Sequence, residues 1–123
     1  MRTTTVDDAL LETLWQPVCS VDEIWPDTGV CALVNHQQVA IFRVRSPGGA
    51  DDAWFALGNR DPKSGANVLS RGLVGSLGDR LVVAAPIFKQ HHDLASGECL
   101  EDPALRVPVY PVRVADGRVW VAA

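Results

Sequence analysis

Apolar and polar residues alternate in short runs along most of this chain, and turn-forming residues break the runs at close intervals. VCALV (30–34) and QVAIFRV (38–44) are rich in Val, Ile and Phe, and the polar break at Asn35–Gln37 between them predicts a hairpin. AWFALGN (53–59) is a further run of strand character. LVGSLGDRLVVAA (73–85) reads as a turn around Gly78–Asp79 feeding a strand at Leu81–Ala85. IFKQHHDLASGECL (87–100) predicts two short strands folded about Leu94–Gly97, which would set His92 opposite Cys99. VPVYPVRVADGRVWVA (107–122) closes on Asp116–Gly117, a strong hairpin signal, and Pro108 and Pro111 place an edge strand there.

Helical patterning is scarce. DDALLETLW (7–15) predicts a helical turn or two running into a strand at Trp15–Cys19, and SVDE (20–23) matches a capping box for one short turn. SPGGADD (46–52) and RDPKSGANVLSRG (60–72) are loops. About eight or nine short strands at turn spacing make an all-β, antiparallel domain. At 123 residues the chain is sized for a single domain, residues 1–123 with a core from about 14 to 122. Trp54 and Trp120 are expected in the core and Trp25, beside Pro26, partly exposed.

Composition narrows the function. A net charge of -4 gives no basic footprint for nucleic acid or anionic lipid. No apolar run approaches the roughly 20 residues of a membrane span, and Asp7, Asp8 and Glu12 interrupt any export signal. A soluble, cytoplasmic protein without a membrane or nucleic-acid partner is the expectation. Cys19, Cys31 and Cys99 are odd in number and lack a CxxC pair, as befits reduced thiols, mostly buried. His91 and His92 are neighbours in a strand and point to opposite faces, so they do not readily share one ion. No Gly-x-Ser-x-Gly elbow or spaced Ser/His/Asp set points to a hydrolase.

Two loops carry the sharper signal. Asn59, Arg60, Pro62, Gly65 and Ala66 frame the first, and Pro86, Asp93, Leu94 and Gly97 the second. This layout resembles the Rieske domain, an antiparallel β-sandwich with two protruding loops. Its Cys-x-His and Cys-x-x-His pairs hold a two-iron, two-sulfur cluster. The resemblance covers the chain from about Trp15 to Val121, yet the four ligand positions read Asp61, Lys63, Ala85 and Phe88. Ala85 and Phe88 offer no donor atom, and Lys63 would have to shed a proton that normally leaves near pH ~10.4. A cluster is therefore not expected in this chain, and Phe88 is expected to fill the space it leaves.

ALGNRDPKSGANVLSRGLVG, PIFKQHHDL and GECLEDP are similar to the small subunits of assimilatory NAD(P)H-dependent nitrite reductase. That resemblance implies a large catalytic subunit as partner, carrying FAD, an iron–sulfur cluster and sirohaem, fed by NAD(P)H and reducing nitrite to ammonium. This chain would be non-catalytic, hold no cofactor or metal, and bind or stabilise the large subunit. Arg60, Lys63, Arg71, Lys89, His91 and His92 are its candidate contacts. A stand-alone Rieske-like interaction module and an electron-transfer ferredoxin-type component are the alternative readings.

Overall fold

The computed structural model describes residues 14–46 and 51–123, so the helical turn expected within 7–15 and the glycines of the 46–52 loop lie largely outside the described residues. Ten strands follow in order: β1 (Trp15–Ser20), β2 (Thr28–Val34), β3 (Gln37–Val44), β4 (Ala53–Gly58), β5 (Leu73–Leu77), β6 (Arg80–Ala84), β7 (His91–Asp93), β8 (Val109–Tyr110), β9 (Val112–Ala115) and β10 (Arg118–Ala122). They form three antiparallel sheets, ordered β2-β3-β4-β8, β1-β10-β9 and β5-β6-β7. The all-β antiparallel expectation holds. The strand count among the described residues exceeds the eight or nine expected, and Pro111 contributes by dividing VPVYPVRV into β8 and β9.

β3 explains the layering. Its Val39, Ala40, Ile41 and Phe42 are all fully buried, which needs cover on both faces. With period two, Val39 and Ile41 join Ile24, Val34, Ala56, Val119 and Val121 in one core, under the β1-β10-β9 sheet. Ala40, Phe42 and Val44 join Leu57, Leu69, Val83, Ala85, Leu94 and Val107 in the other, under β5-β6-β7 and the two loops. A continuous apolar run therefore marks the central strand. Trp54 and Trp120 are only half-buried, because the β-branched and smaller residues fill the space assigned to them. Trp25 is exposed, as expected.

Turn chemistry sets the register. Asn35–His36 and Asp116–Gly117 have positive φ at both central residues, the conformation whose twist matches a two-residue hairpin. Among the described residues β8 pairs only with β4, so the prolines do flank an edge strand. The SVDE turn forms as a single 3-10 turn, Val21–Glu23, but the Ser20 side chain makes no cap, so the expected capping box is absent. The Ile24 amide closes the turn on the Val21 carbonyl instead.

Candidate functional site at the two-loop tip

Both loops close in the same way at the first residue of the former ligand pair. The Asp61 amide donates to the Ala66 carbonyl at 2.8 Å, and the Gly65 amide returns to the Asp61 carbonyl at 2.7 Å. The Ala85 amide donates to Gln90 at 2.9 Å, and the Lys89 amide returns to Ala85 at 3.0 Å. In each, the fifth residue is left-handed: Gly65 at φ 79° and Lys89 at φ 60°. The inner positions, Asp61 and Ala85, are fully buried, and the outer ones, Lys63 and Phe88, are exposed. Lys63 Nζ lies 5.4 Å from the centre of the Phe88 ring, so the two outer positions face each other.

Asn59 clips the first loop at its base. Its Oδ1 accepts the Ser70 amide at 2.7 Å, and its Nδ2 donates to the Asn67 carbonyl at 3.1 Å. The Asp61 carboxylate accepts the Lys63 amide on Oδ1 and the Ser64 hydroxyl on Oδ2. The second loop is held from below by Arg80, which bonds Asp93 at 2.8 Å and Glu98 at 2.5 Å. Burial pushes the Asp93 carboxyl upward. Arg80 and the Ser96 and Ala95 amides outweigh it and hold the group below the usual carboxylate range. Gly97, at φ 78°, packs so closely on Val107 that a Cβ would lie 2.1 Å from its carbonyl oxygen. Arg80 carries no local sequence signal; only the fold brings it under Asp93.

The candidate contacts separate. Arg60, Lys63 and Lys89 lie exposed on the two loops, and Arg71 is exposed on the 3-10 turn Leu69–Arg71 at the first loop's base. None forms an ion pair among the described residues, whereas Arg43 and Arg80 do. His91 is partly exposed but tied to Glu101, which takes its amide and its ring Nδ1. For Glu101 burial raises the carboxyl, and the His91 bonds more than offset that, leaving it lowered. His92 is fully buried opposite Cys99, so its place among the partner contacts is withdrawn. Its Nδ1 lies 3.3 Å from the Gly97 carbonyl. The strand alternation expected for the two histidines accounts for this difference.

Two further expectations need correction. Phe88 is half-exposed and does not refill a core, because the buried inner position is the small Ala85. Of the thiols, which are all free, Cys99 is buried, Cys19 intermediate and Cys31 exposed. Burial pushes both the Cys19 and the Cys31 thiol up.

A two-iron, two-sulfur cluster does not fit these residues. Asp61 spends both carboxylate oxygens on its own loop, Ala85 has no donor, and Lys63 and Phe88 occupy each other. Among the described residues no three of His, Cys, Asp or Glu gather to hold a metal ion.

A cleft of about 360 Å³ opens beside the first loop, lined in part by Arg60, Asn67, Arg106, Pro108 and Tyr110. Sequence reading singled out only Arg60 of these for partner contact. A larger cleft, about 730 Å³, contains no residue of the 59–72 or 85–99 loops. Its Arg43 is bonded to Asp52, and its Arg113 lies 4.4 Å from the Trp15 ring. The chemistry-bearing loops and this larger cleft are thus separate places.

Comparison with known proteins defines the class first. The model of the Rieske-like [2Fe-2S] domain matches residues 14–122. The NADH nitrite reductase small subunit of Escherichia coli K12 is 46% identical over 105 residues, 85% of this chain and 94% of that one. A crystal structure described as an NADH-dependent nitrite reductase small subunit from Mycobacterium tuberculosis superposes with a TM-score of 0.81 at 46% identity, covering 89% of this chain and 94% of that one. The chain belongs to the Rieske-like family of nitrite reductase small subunits. It is also 37% identical over 115 residues to a segment of the NAD(P)H nitrite reductase large subunit of Klebsiella oxytoca, covering 94% of this chain and 11% of that one. In that polypeptide a domain like this one is part of the large chain.

Proposed function

We propose that this chain is the small, cluster-free subunit of an NAD(P)H-dependent nitrite reductase, docking by its loop tip on the large subunit and stabilising it. The identity to a small subunit along most of both chains carries the reading. The segment shared with a large subunit supports the pairing, since a domain that occurs both free and fused to a chain is placed to work beside it. By resemblance the large subunit supplies FAD, iron–sulfur cluster and sirohaem, and nitrite is reduced there in the cytoplasm.

The part played by this chain follows from its donor set. The four former ligand positions present a satisfied carboxylate, an ammonium, a methyl and a phenyl ring, and none of these accepts and passes an electron at ordinary potentials. What they do offer is a firm surface. Each loop is closed by backbone bonds, and the exposed Lys63, Phe88 and Lys89 stand on it. The readings as a stand-alone module or a ferredoxin-type carrier have no comparable support. Among the described residues no helix is long and apolar enough to cross a membrane.

The test is co-purification of the large subunit with the Lys63→Glu/Lys89→Glu double variant. Reversal of two charges at a docking rim should weaken the complex about tenfold or more and make it less sensitive to salt. An unchanged complex would remove the tip as the docking surface. Iron and acid-labile sulfide at one cluster per chain in the purified small subunit would remove the cluster-free reading.

A further inference from the structure

The cleft beside the first loop is not explained by the loss of a cluster. Arg60 and Arg106 come from distant parts of the sequence and line it together, with Gln37 and Asn67 and no Asp or Glu among the lining residues. Both arginines are exposed and unpaired among the described residues. They are the two cationic residues that line the cleft, and no Asp or Glu lines it to neutralise them.

Their positions are fixed by backbone. Arg60 is bridged to Asn67 across the base of the first loop. Arg106 follows the 3-10 turn Pro103–Leu105, which Asp102 caps through the Ala104 amide. Next to it, the Val107 amide donates to the Gly97 carbonyl at 3.0 Å. Pro108 and Tyr110 add an apolar wall, and Gly58 allows the wall to close up, since a Cβ there would lie 2.9 Å from the Pro108 ring.

We infer that this cleft receives an acidic side chain on an extended segment of the large subunit, its carboxylate between Arg60 and Arg106 and its aliphatic part against Pro108 and Tyr110. The inference rests on the docking reading above and names a second point of that contact. Guanidinium forks match carboxylates in plane and spacing, which sets them apart from the point charges of Lys63 and Lys89. A free inorganic anion would leave the apolar wall and most of the volume unused.

The experiment uses the small subunit with its large subunit. Arg60→Glu/Arg106→Glu should weaken the complex about tenfold or more, with the thermal midpoint of the isolated chain unchanged because both side chains are exposed. As a second measurement, Arg60→Lys and Arg106→Lys variants in the complex are treated with a carbodiimide, which joins amines to carboxylates in contact. Crosslinks from positions 60 and 106 to one acidic segment of the large subunit are expected. Unchanged affinity and no crosslink from either position, with Lys63→Glu/Lys89→Glu still weakening the complex, would overturn the cleft and leave the docking reading standing. If the Lys63→Glu/Lys89→Glu pair also has no effect, the docking reading itself fails. Equal loss of wild-type affinity on adding inorganic phosphate or chloride at matched ionic strength is expected; a much larger loss with phosphate would reassign the cleft to a free oxyanion.

Discussion

In the first loop the inner position of the former ligand pair is Asp61, a buried carboxylate that holds the Lys63 amide and the Ser64 hydroxyl. At the equivalent place in the second loop is Ala85, equally buried and with nothing polar to offer. The backbones nevertheless close by the same pair of bonds, 61 to 66 and 65 to 61 in one, 85 to 90 and 89 to 85 in the other. The comparison teaches that a loop built around a metal can keep its shape in two ways. One loop turns a polar residue inward and satisfies it locally. The other adds a small residue to the hydrophobic core and takes its polar support from Arg80, Asp93 and Glu98 below.

The most damaging single change should fall in the second loop. Gly97→Ala forces a side chain into a left-handed residue and against the Val107 carbonyl at 2.1 Å, where backbone on both sides leaves little room to yield. A loss of about 3–4 kcal/mol is expected in chemical denaturation. A loss below about 1 kcal/mol would show that the second loop is less tightly packed than the first. Next comes Asp61→Ala, which strips the acceptor from one buried-side amide and one hydroxyl in the first loop. That should cost about 1–3 kcal/mol. Asp61→Asn keeps an acceptor for the Lys63 amide and should fall in between. If Asp61→Ala is neutral, the first loop is not held from within and the contrast disappears.

Phe88→Ala sharpens the same comparison on the outer positions. The ring is half-exposed, so its removal should cost less than about 1 kcal/mol in stability, far below the cost of emptying a buried aromatic site. Its effect should appear in the affinity for the large subunit. A stability loss of several kcal/mol would mean that the ring fills the tip interior after all.

What the sequence made legible follows from period and turn chemistry. The Asn35–His36 and Asp116–Gly117 turns, the edge prolines and the facing of His92 and Cys99 were readable because each depends on residues close in the chain. The two loops were readable as a frame through the resemblance of Asn59, Arg60, Pro62, Gly65 and Ala66, and of Pro86, Asp93, Leu94 and Gly97, to the Rieske loops. Three things were not. Phe88 looked like a core residue because ring size is visible in sequence and the direction of a loop is not. Arg80 and Arg106 gave no signal because their roles come from residues the fold brings to them. The burial of His92 depends on which strand face meets the core, and alternation alone sets the two histidines apart without saying which one turns inward.

The smallest expected effect tests whether the two loops are equivalent in backbone. Gly65 and Lys89 occupy the same left-handed place, but only the first is a glycine. A non-glycine residue in that region costs roughly 1–2 kcal/mol in steric conflict, while glycine brings about 0.5–1 kcal/mol of extra chain entropy to be lost on folding. Lys89→Gly should therefore stabilise the chain slightly, by about 0.5 kcal/mol. Gly65→Ala should destabilise it by about 1 kcal/mol, from the left-handed φ of 79° alone, since its Cβ would meet only the movable end of the Arg60 side chain at 3.4 Å. Opposite signs from the pair would show that Lys89 is held in strain, which a docking role for its ammonium would explain. If Lys89→Gly instead destabilised the isolated chain, the lysine would be contributing to its own loop, and the second loop would depend on its outer residues as the first depends on Asp61.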